Sequence, residues 1–361
     1  MTSKKYALTL SGLLFLLFAA CLIFWYSALK DLYYKKDHRG GMDNGGSIFL
    51  TEPITPQANY NKHHTEFSDY LKSGVKKSFD VITIGDSFST IAGGCFFQDY
   101  LVDKYGLEIV NIRFEGHEML DTLYILDKTG WLDELKPRFV IIESVERSVN
   151  VRFGLKNISP ENIKALDKET ITELSRVSDK QGDFIKIIPS VIFRASMKFL
   201  YDHVYRIMPG NNGRLSEKVY TAKLNQPMFT NPSMENILLY YYEDLDYLKT
   251  PFNTAMVNKN FNDAAEYFGK RGIKIIFMPC ADKYDLYYPY IENNNNPPAN
   301  PFFDEIEKLD KKYYLINTRN ISRKLLSDGE RDVYWLDETH WSWKAQQSVG
   351  DKLAEIILSE R

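Results

Sequence analysis

Hydrophobic positions along the chain follow three different regimes. Tyr6 to Leu29 is a run of 24 residues without a charge, and at about 1.5 Å per residue it is long enough to cross a bilayer. The pattern predicts a transmembrane helix, with residues 1–30 as an anchor. Its apolar character continues through Leu22-Ile23-Phe24-Trp25, and Phe18 fits poorly before Ala19-Ala20-Cys21 as a lipoprotein-type site, so an uncleaved anchor is favoured over a signal peptide. Residues 31–75 are polar and mixed without sustained periodicity, which predicts a linker with room for one short helix. His63-His64 falls in this stretch with no carboxylate or cysteine at ligand spacing, so both read as solvated linker histidines.

From residue 76 onward the pattern alternates. Phe79–Ile84, Glu108–Ile112 and Arg138–Glu143 read as strands, separated by helices over Phe88–Tyr105 and Asp121–Leu135. The rhythm breaks between about 148 and 250, where helical stretches such as Phe184–Tyr205 and the turn Pro209-Gly210-Asn211-Asn212-Gly213 indicate a mainly helical insertion. Tyr240-Tyr241-Tyr242 in this insertion suits packing onto the core better than stacking on sugar rings. The rhythm then returns with a helix over Phe252–Phe268, stopped near Gly269, and a strand over Ile273–Met278. The Asn293-Asn294-Asn295-Asn296-Pro297-Pro298 run is a loop, and a last strand covers Tyr313–Ile316. A closing helix carries Ala345, Val349, Leu353, Ile356 and Ile357 on one face. Strands separated by helices of this length predict an α/β domain over 76–361 with a parallel sheet and right-handed crossovers.

Composition narrows the function classes. The chain has 361 residues and a net charge of −3, and no basic field marks it as a nucleic-acid binder. Of the three cysteines, Cys21 lies in the apolar run, and buried free thiols are favoured over a Cys95–Cys280 disulfide. No metal-ligand spacing is present, and the chemistry below requires no metal and no cofactor.

That chemistry centres on Val81-Ile82-Thr83-Ile84-Gly85-Asp86-Ser87, a β-branched run ending in a small polar turn. The C-terminal end of a strand is where an open α/β sheet presents reactive groups. Serine needs a base to act as a nucleophile, and the base needs an orienting partner. Asp337-Glu338-Thr339-His340-Trp341, just before the closing helix, supplies an imidazole and a carboxylate three residues apart. The competing reading, in which Ser87 only caps a helix and His340 only packs beside one, is weakened by the two motifs occurring together.

Together these motifs resemble the SGNH hydrolase family. The resemblance implies a three-layer sandwich with a parallel flavodoxin-like sheet and acyl transfer from a serine. Ser87 matches the nucleophile, Asp337 and His340 the other two members of the triad, and the N–H groups of Ser87 and Gly116 the oxyanion hole. Where the family carries Gly-x-Asn-Asp after the third strand, this chain has Glu143-Ser144-Val145-Glu146-Arg147. Arg147 is therefore either a substitute oxyanion donor or a structural partner of Glu143 or Glu146. Met278-Pro279, Asp282-Lys283, Tyr287 and Trp341 are similar to the membrane-associated branch that includes alginate O-acetyltransferases and DHHW proteins. That likeness implies Lys283, Tyr287 and Trp341 as substrate-binding residues, and acetyl transfer onto a polysaccharide acceptor outside the cell membrane. It also implies a multispanning membrane acyltransferase as the acetyl source. Lys4 and Lys5 before the apolar run against Lys30, Lys35, Lys36 and Arg39 after it would, by charge alone, leave the domain inside; the extracytoplasmic placement comes from the resemblance. Two other functions share these residues: a carbohydrate esterase removing acetyl groups, and a non-catalytic subunit of a polysaccharide synthesis or export complex.

Overall fold

The computed structural model describes residues 3–29, 58–90, 96–114, 116–179, 196–197, 200–201, 204–205, 208, 214–292, 296–336 and 338–360. The chain forms two compact units, one made of residues 1–56, 184–242 and 335–339, the other of residues 57–183, 243–334 and 340–361.

In the first unit, Ser3–Phe24 is an α-helix continued by a π-helical turn over Trp25–Leu29. Within it, Lys5–Ser27 has a mean hydropathy of 2.5 and is long and apolar enough to span a membrane. The same unit holds an antiparallel hairpin, described below as β5 and β6, in which Val219 pairs with Tyr241 and Lys223 with Ile237. Most of the expected Phe184–Tyr205 helix lies outside the described residues.

The second unit is a mixed α/β body built on a six-stranded, wholly parallel sheet. Its strands are β1 (Thr65–Glu66), β2 (Val81–Ile84), β3 (Ile109–Asn111), β4 (Phe139–Val145), β7 (Lys274–Cys280) and β8 (Tyr314–Leu315); β5 (Val219–Lys223) and β6 (Ile237–Tyr241) are the hairpin. The order across the sheet is β1-β3-β2-β4-β7-β8. From β2 the chain builds outward to β3, then returns to the other side of β2 and continues through β4, β7 and β8. The reversal makes the gap between β2 and β3 on one side and β4 on the other a topological switch point, and the carboxyl ends of the strands there are the ordinary ligand site of open α/β sheets.

The strands read as apolar runs because both sheet faces are covered. Ile82, Ile84, Val110, Ile112, Val140, Ile142, Ile275 and Phe277 share one core with Leu120 and Leu123 of the Met119–Lys128 helix and with Phe261, Ala264 and Phe268 of the Thr254–Gly269 helix. Their alternates Val81, Ile109, Phe139, Ile141 and Ile276 are buried as well. Period-two alternation puts them on the opposite face. The helices Phe97–Tyr105 and Trp343–Ser359 pack on each other so closely that a Cβ on Gly350 would run into the Tyr100 ring.

Three stretches differ from the sequence expectation. The expected Asp121–Leu135 helix is two helices, Met119–Lys128 and Trp131–Leu135, because Gly130 takes a left-handed φ of 76° between them. Ser87–Thr90 is a single helical turn, separate from the Phe97–Tyr105 helix. Finally, the chain around residue 65 is part of the sheet: β1 pairs with β3, and the Phe67–Ser73 helix buries Phe67 and Tyr70. His63 is solvated as expected, but His64 is buried. Its Nδ1 lies 2.6 Å from Asp99 Oδ1 and its Nε2 3.0 Å from Glu66 Oε1. Glu66 is only two residues away, whereas Asp99 is 35 residues on, in the Phe97–Tyr105 helix, and local spacing did not reveal it.

Candidate active site

β2 is four fully buried residues, and its end delivers Gly85, Asp86 and Ser87 to the switch point. Ser87 opens the helical turn that follows, and its Oγ lies 2.7 Å from His340 Nε2. That is hydrogen-bond distance, and in the tautomer with its proton on Nδ1 the ring accepts from the hydroxyl, the arrangement required for a base to take the serine proton. The loop that carries His340 is closed at its base by a bridge between Tyr334 and Trp341 and by Ser342 N–H donating to Val333 O at 2.9 Å. Phe88, immediately after the serine, packs on the imidazole with ring centroids 4.6 Å apart and meets Trp341 edge-on at 5.0 Å. The residue that follows Ser87 thus also positions the His340 ring. Asp337 lies outside the described residues.

The turn before Ser87 is held by groups from β4 and just beyond it. Glu143 Oε2 accepts from Asp86 N–H at 2.9 Å and from the Ser89 hydroxyl at 2.8 Å. A Cβ on Gly85 would overlap that same carboxylate oxygen, which is why glycine occupies the position. Asp86 Oδ2 accepts from Val145 N–H at 2.9 Å and from Arg152 Nη1 at 2.5 Å; Arg152 Nη1 also donates to Ser144 Oγ at 2.7 Å. The two buried carboxyls are driven apart. Burial raises Glu143 well above the usual carboxylate range, reinforced by the charge of Asp86. Burial also opposes the charge on Asp86, but the Arg152 guanidinium together with hydrogen bonds from Glu143 and Val145 N–H outweighs it and holds Asp86 below its usual value. The environment thus favours the neutral form of Glu143 and the ionised form of Asp86.

A cavity of about 270 Å³ opens beside this turn, lined in part by Gly85, Asp86, Arg113, Gly116, His117 and Arg152. Gly116, exposed on this wall, has a left-handed φ of 76° that a glycine adopts without strain.

The remaining sequence candidates are engaged in contacts within the protein. Arg147 is engaged with acids: its Nη1 lies 2.6 Å from Asp282 Oδ1 and 3.3 Å from Asp244 Oδ1. These partners come from the segments just after β7 and just after the hairpin, not from Glu143 or Glu146 as local sequence suggested. Lys283 and Tyr287 are fully buried, and Trp341 is almost so. Tyr287 Oη accepts from Tyr334 N–H at 3.3 Å, so it braces the chain leading to His340. Cys280 is a buried free thiol, its pKa pushed up by burial and then by Glu143 and Asp86, whereas Cys95 lies outside the described residues. Sequence reading missed Arg152 and the part played by Glu143. The available signal was a glutamate inside an otherwise apolar strand, since a carboxyl at a wholly buried strand position needs a polar purpose.

Comparison of this chain with protein-family models, with curated proteins and with solved structures yields no match.

Proposed function

We propose that this chain is a membrane-anchored O-acetyltransferase that passes an acetyl group through Ser87 to a polysaccharide, and that its α/β unit is a three-layer sandwich of the SGNH hydrolase type. The observation that carries the reading is the 2.7 Å approach of Ser87 Oγ to His340 Nε2 at the carboxyl end of β2. In this reading Ser87 Oγ attacks the donor's acetyl carbonyl while His340 Nε2 takes the hydroxyl proton and returns it to the leaving group. Asp337 fixes the imidazole tautomer, and the N–H groups of Ser87 and Gly116 receive the oxyanion. A sugar hydroxyl then gives its proton to His340, attacks the acetyl ester, and releases Ser87. The polysaccharide acceptor, the extracytoplasmic setting and the multispanning membrane acyltransferase as acetyl source rest on the family resemblance. An N-terminal helix able to span a membrane agrees with such a setting.

The test incubates the full chain in detergent with an acetyl ester donor and candidate oligosaccharides, and reads added acetyl groups by mass spectrometry. Acetylated glycan is expected from the parent and not from Ser87→Ala or His340→Ala. Donor hydrolysis without glycan product would identify an esterase, and parent-level transfer by folded Ser87→Ala would eliminate the serine mechanism.

A further inference from the structure

The C-terminal part of the N-terminal helix is not exposed all round. Leu13, Leu14, Phe15 and Leu16 are exposed, but Cys21 and Trp25, four residues apart and so on one helix face, are buried. The Ser196 hydroxyl donates to Cys21 O at 3.4 Å, and Ser196 is itself fully buried. Chain 175 residues further along the sequence is therefore docked on the helix at Cys21.

Depth follows from that contact. Cys21 precedes Ser27, the end of the apolar span, by six residues, which is about 9 Å along a helix axis. The span is only slightly longer than the ~30 Å hydrocarbon layer it would cross. Ser196 is thus held below the level at which the helix leaves the membrane, in the boundary between headgroups and acyl chains. The described residues after it carry exposed apolar side chains at Met197, Leu200, Tyr201, Val204 and Met208. Those positions are spaced 3, 1, 3 and 4 apart, the spacing of one helix face; 196–197, 200–201 and 204–205 have helical backbone, and Met208 lies in a bend, its N–H donating to Tyr205 O at 3.2 Å. Water is the wrong solvent for such a face, and its starting point is fixed at lipid depth.

We infer that the face formed by Met197, Leu200, Tyr201, Val204 and Met208 is a second membrane contact, lying in the interfacial layer of the bilayer beside the anchor helix. Amphipathic segments of this kind seat their apolar side roughly 5–10 Å into the headgroup and acyl boundary, matching the depth set by Cys21. Tyr201 has the side chain suited to that layer, an apolar ring with a polar tip, and its hydroxyl is bonded to Glu217 Oε1 at 2.5 Å. This inference rests on Lys5–Ser27 crossing the membrane.

The experiment places one nitroxide, on a genetically encoded ketone side chain, at position 13, 75, 200 or 204 of the full chain in phosphatidylcholine–phosphatidylglycerol nanodiscs. Relaxation by oxygen, which concentrates in lipid, is compared with relaxation by a water-soluble nickel chelate. Position 13 reports the anchor and position 75, at exposed Val75, reports water. Oxygen should exceed the chelate several-fold at 200 and 204, as at 13, with the reverse ratio at 75. Water-like ratios at 200 and 204 with a lipid-like ratio at 13 would overturn the inference while leaving the anchor in place. A water-like ratio at 13 would overturn both. Labels at 200 and 204 shielded from both reagents would show a protein covering the face, which also overturns it.

Discussion

Gly85 lies against the carboxyl of Glu143, with no room between them for a methyl group. The turn that carries Ser87 therefore sits directly on a buried acid of the neighbouring strand. Gly85→Ala forces one of the two to move, and overpacking of this kind costs about 1–3 kcal/mol. We expect Gly85→Ala to lower the denaturation midpoint and to lose most acyl-transfer activity, because the displaced atoms are two residues from Ser87. A variant with parent activity and stability, measured by denaturant unfolding, would show that the turn is not braced this way.

Glu143 is predicted to work as a neutral acid. Glu143→Gln keeps the shape and an oxygen able to accept from Asp86 N–H and the Ser89 hydroxyl, so stability within about 1 kcal/mol of the parent is expected. Glu143→Ala leaves both donors without their acceptor and opens a cavity, and should cost about 2–4 kcal/mol. Equal losses from the two substitutions, read by thermal unfolding, would contradict a neutral Glu143.

Arg152 favours the ionised form of Asp86, the residue just before Ser87, and Asp86 in turn accepts Val145 N–H. Removing the guanidinium in Arg152→Gln leaves Asp86 buried without its counter-charge, so its proton is retained to higher pH. The acid limb of the activity profile should shift upward and kcat should fall by roughly 10- to 100-fold. Arg152→Lys restores the charge and should recover part of both. An unshifted profile in Arg152→Gln would make the Arg152 contact merely structural.

His64 gives the fold a pH dependence of its own. Burial opposes its charge, but the bonds to Asp99 and Glu66 outweigh burial and raise it from 6.5 to about 9. A raised folded-state value means that the stabilisation is complete below pH 6.5, declines as pH rises, and is gone above about 9. The shift corresponds to roughly 3 kcal/mol. Denaturant unfolding of the full chain in detergent between pH 6 and 10 should show this decline, and His64→Gln should flatten it. A parent curve already flat over that range would remove the linkage.

The parallel sheet was legible because its strands alternate with helices at crossover spacing and are apolar on both faces. The serine and histidine were legible because each stands in a compact motif at an element boundary. β1 was not: two residues with a polar sequence take strand form only because β3 offers them an open edge. Arg152 was equally hidden, since no local pattern announces that a guanidinium after β4 will fold back onto Asp86. Ionic partners of this sort are tertiary facts, set by which strand ends the topology brings together. Lys283 and Tyr287 mark the opposite limit, where the family resemblance implied substrate contact and packing buried both side chains.

Ser87 and His340 are separated by 253 positions. During synthesis at about 5–20 residues per second, the histidine emerges roughly 10–50 s after the serine. On the proposed mechanism, the nascent chain carries Ser87 for that whole interval without the base that would activate it. By the same mechanism, a product released early by a stalled ribosome, or trimmed ahead of residue 340, has no capacity to transfer an acetyl group.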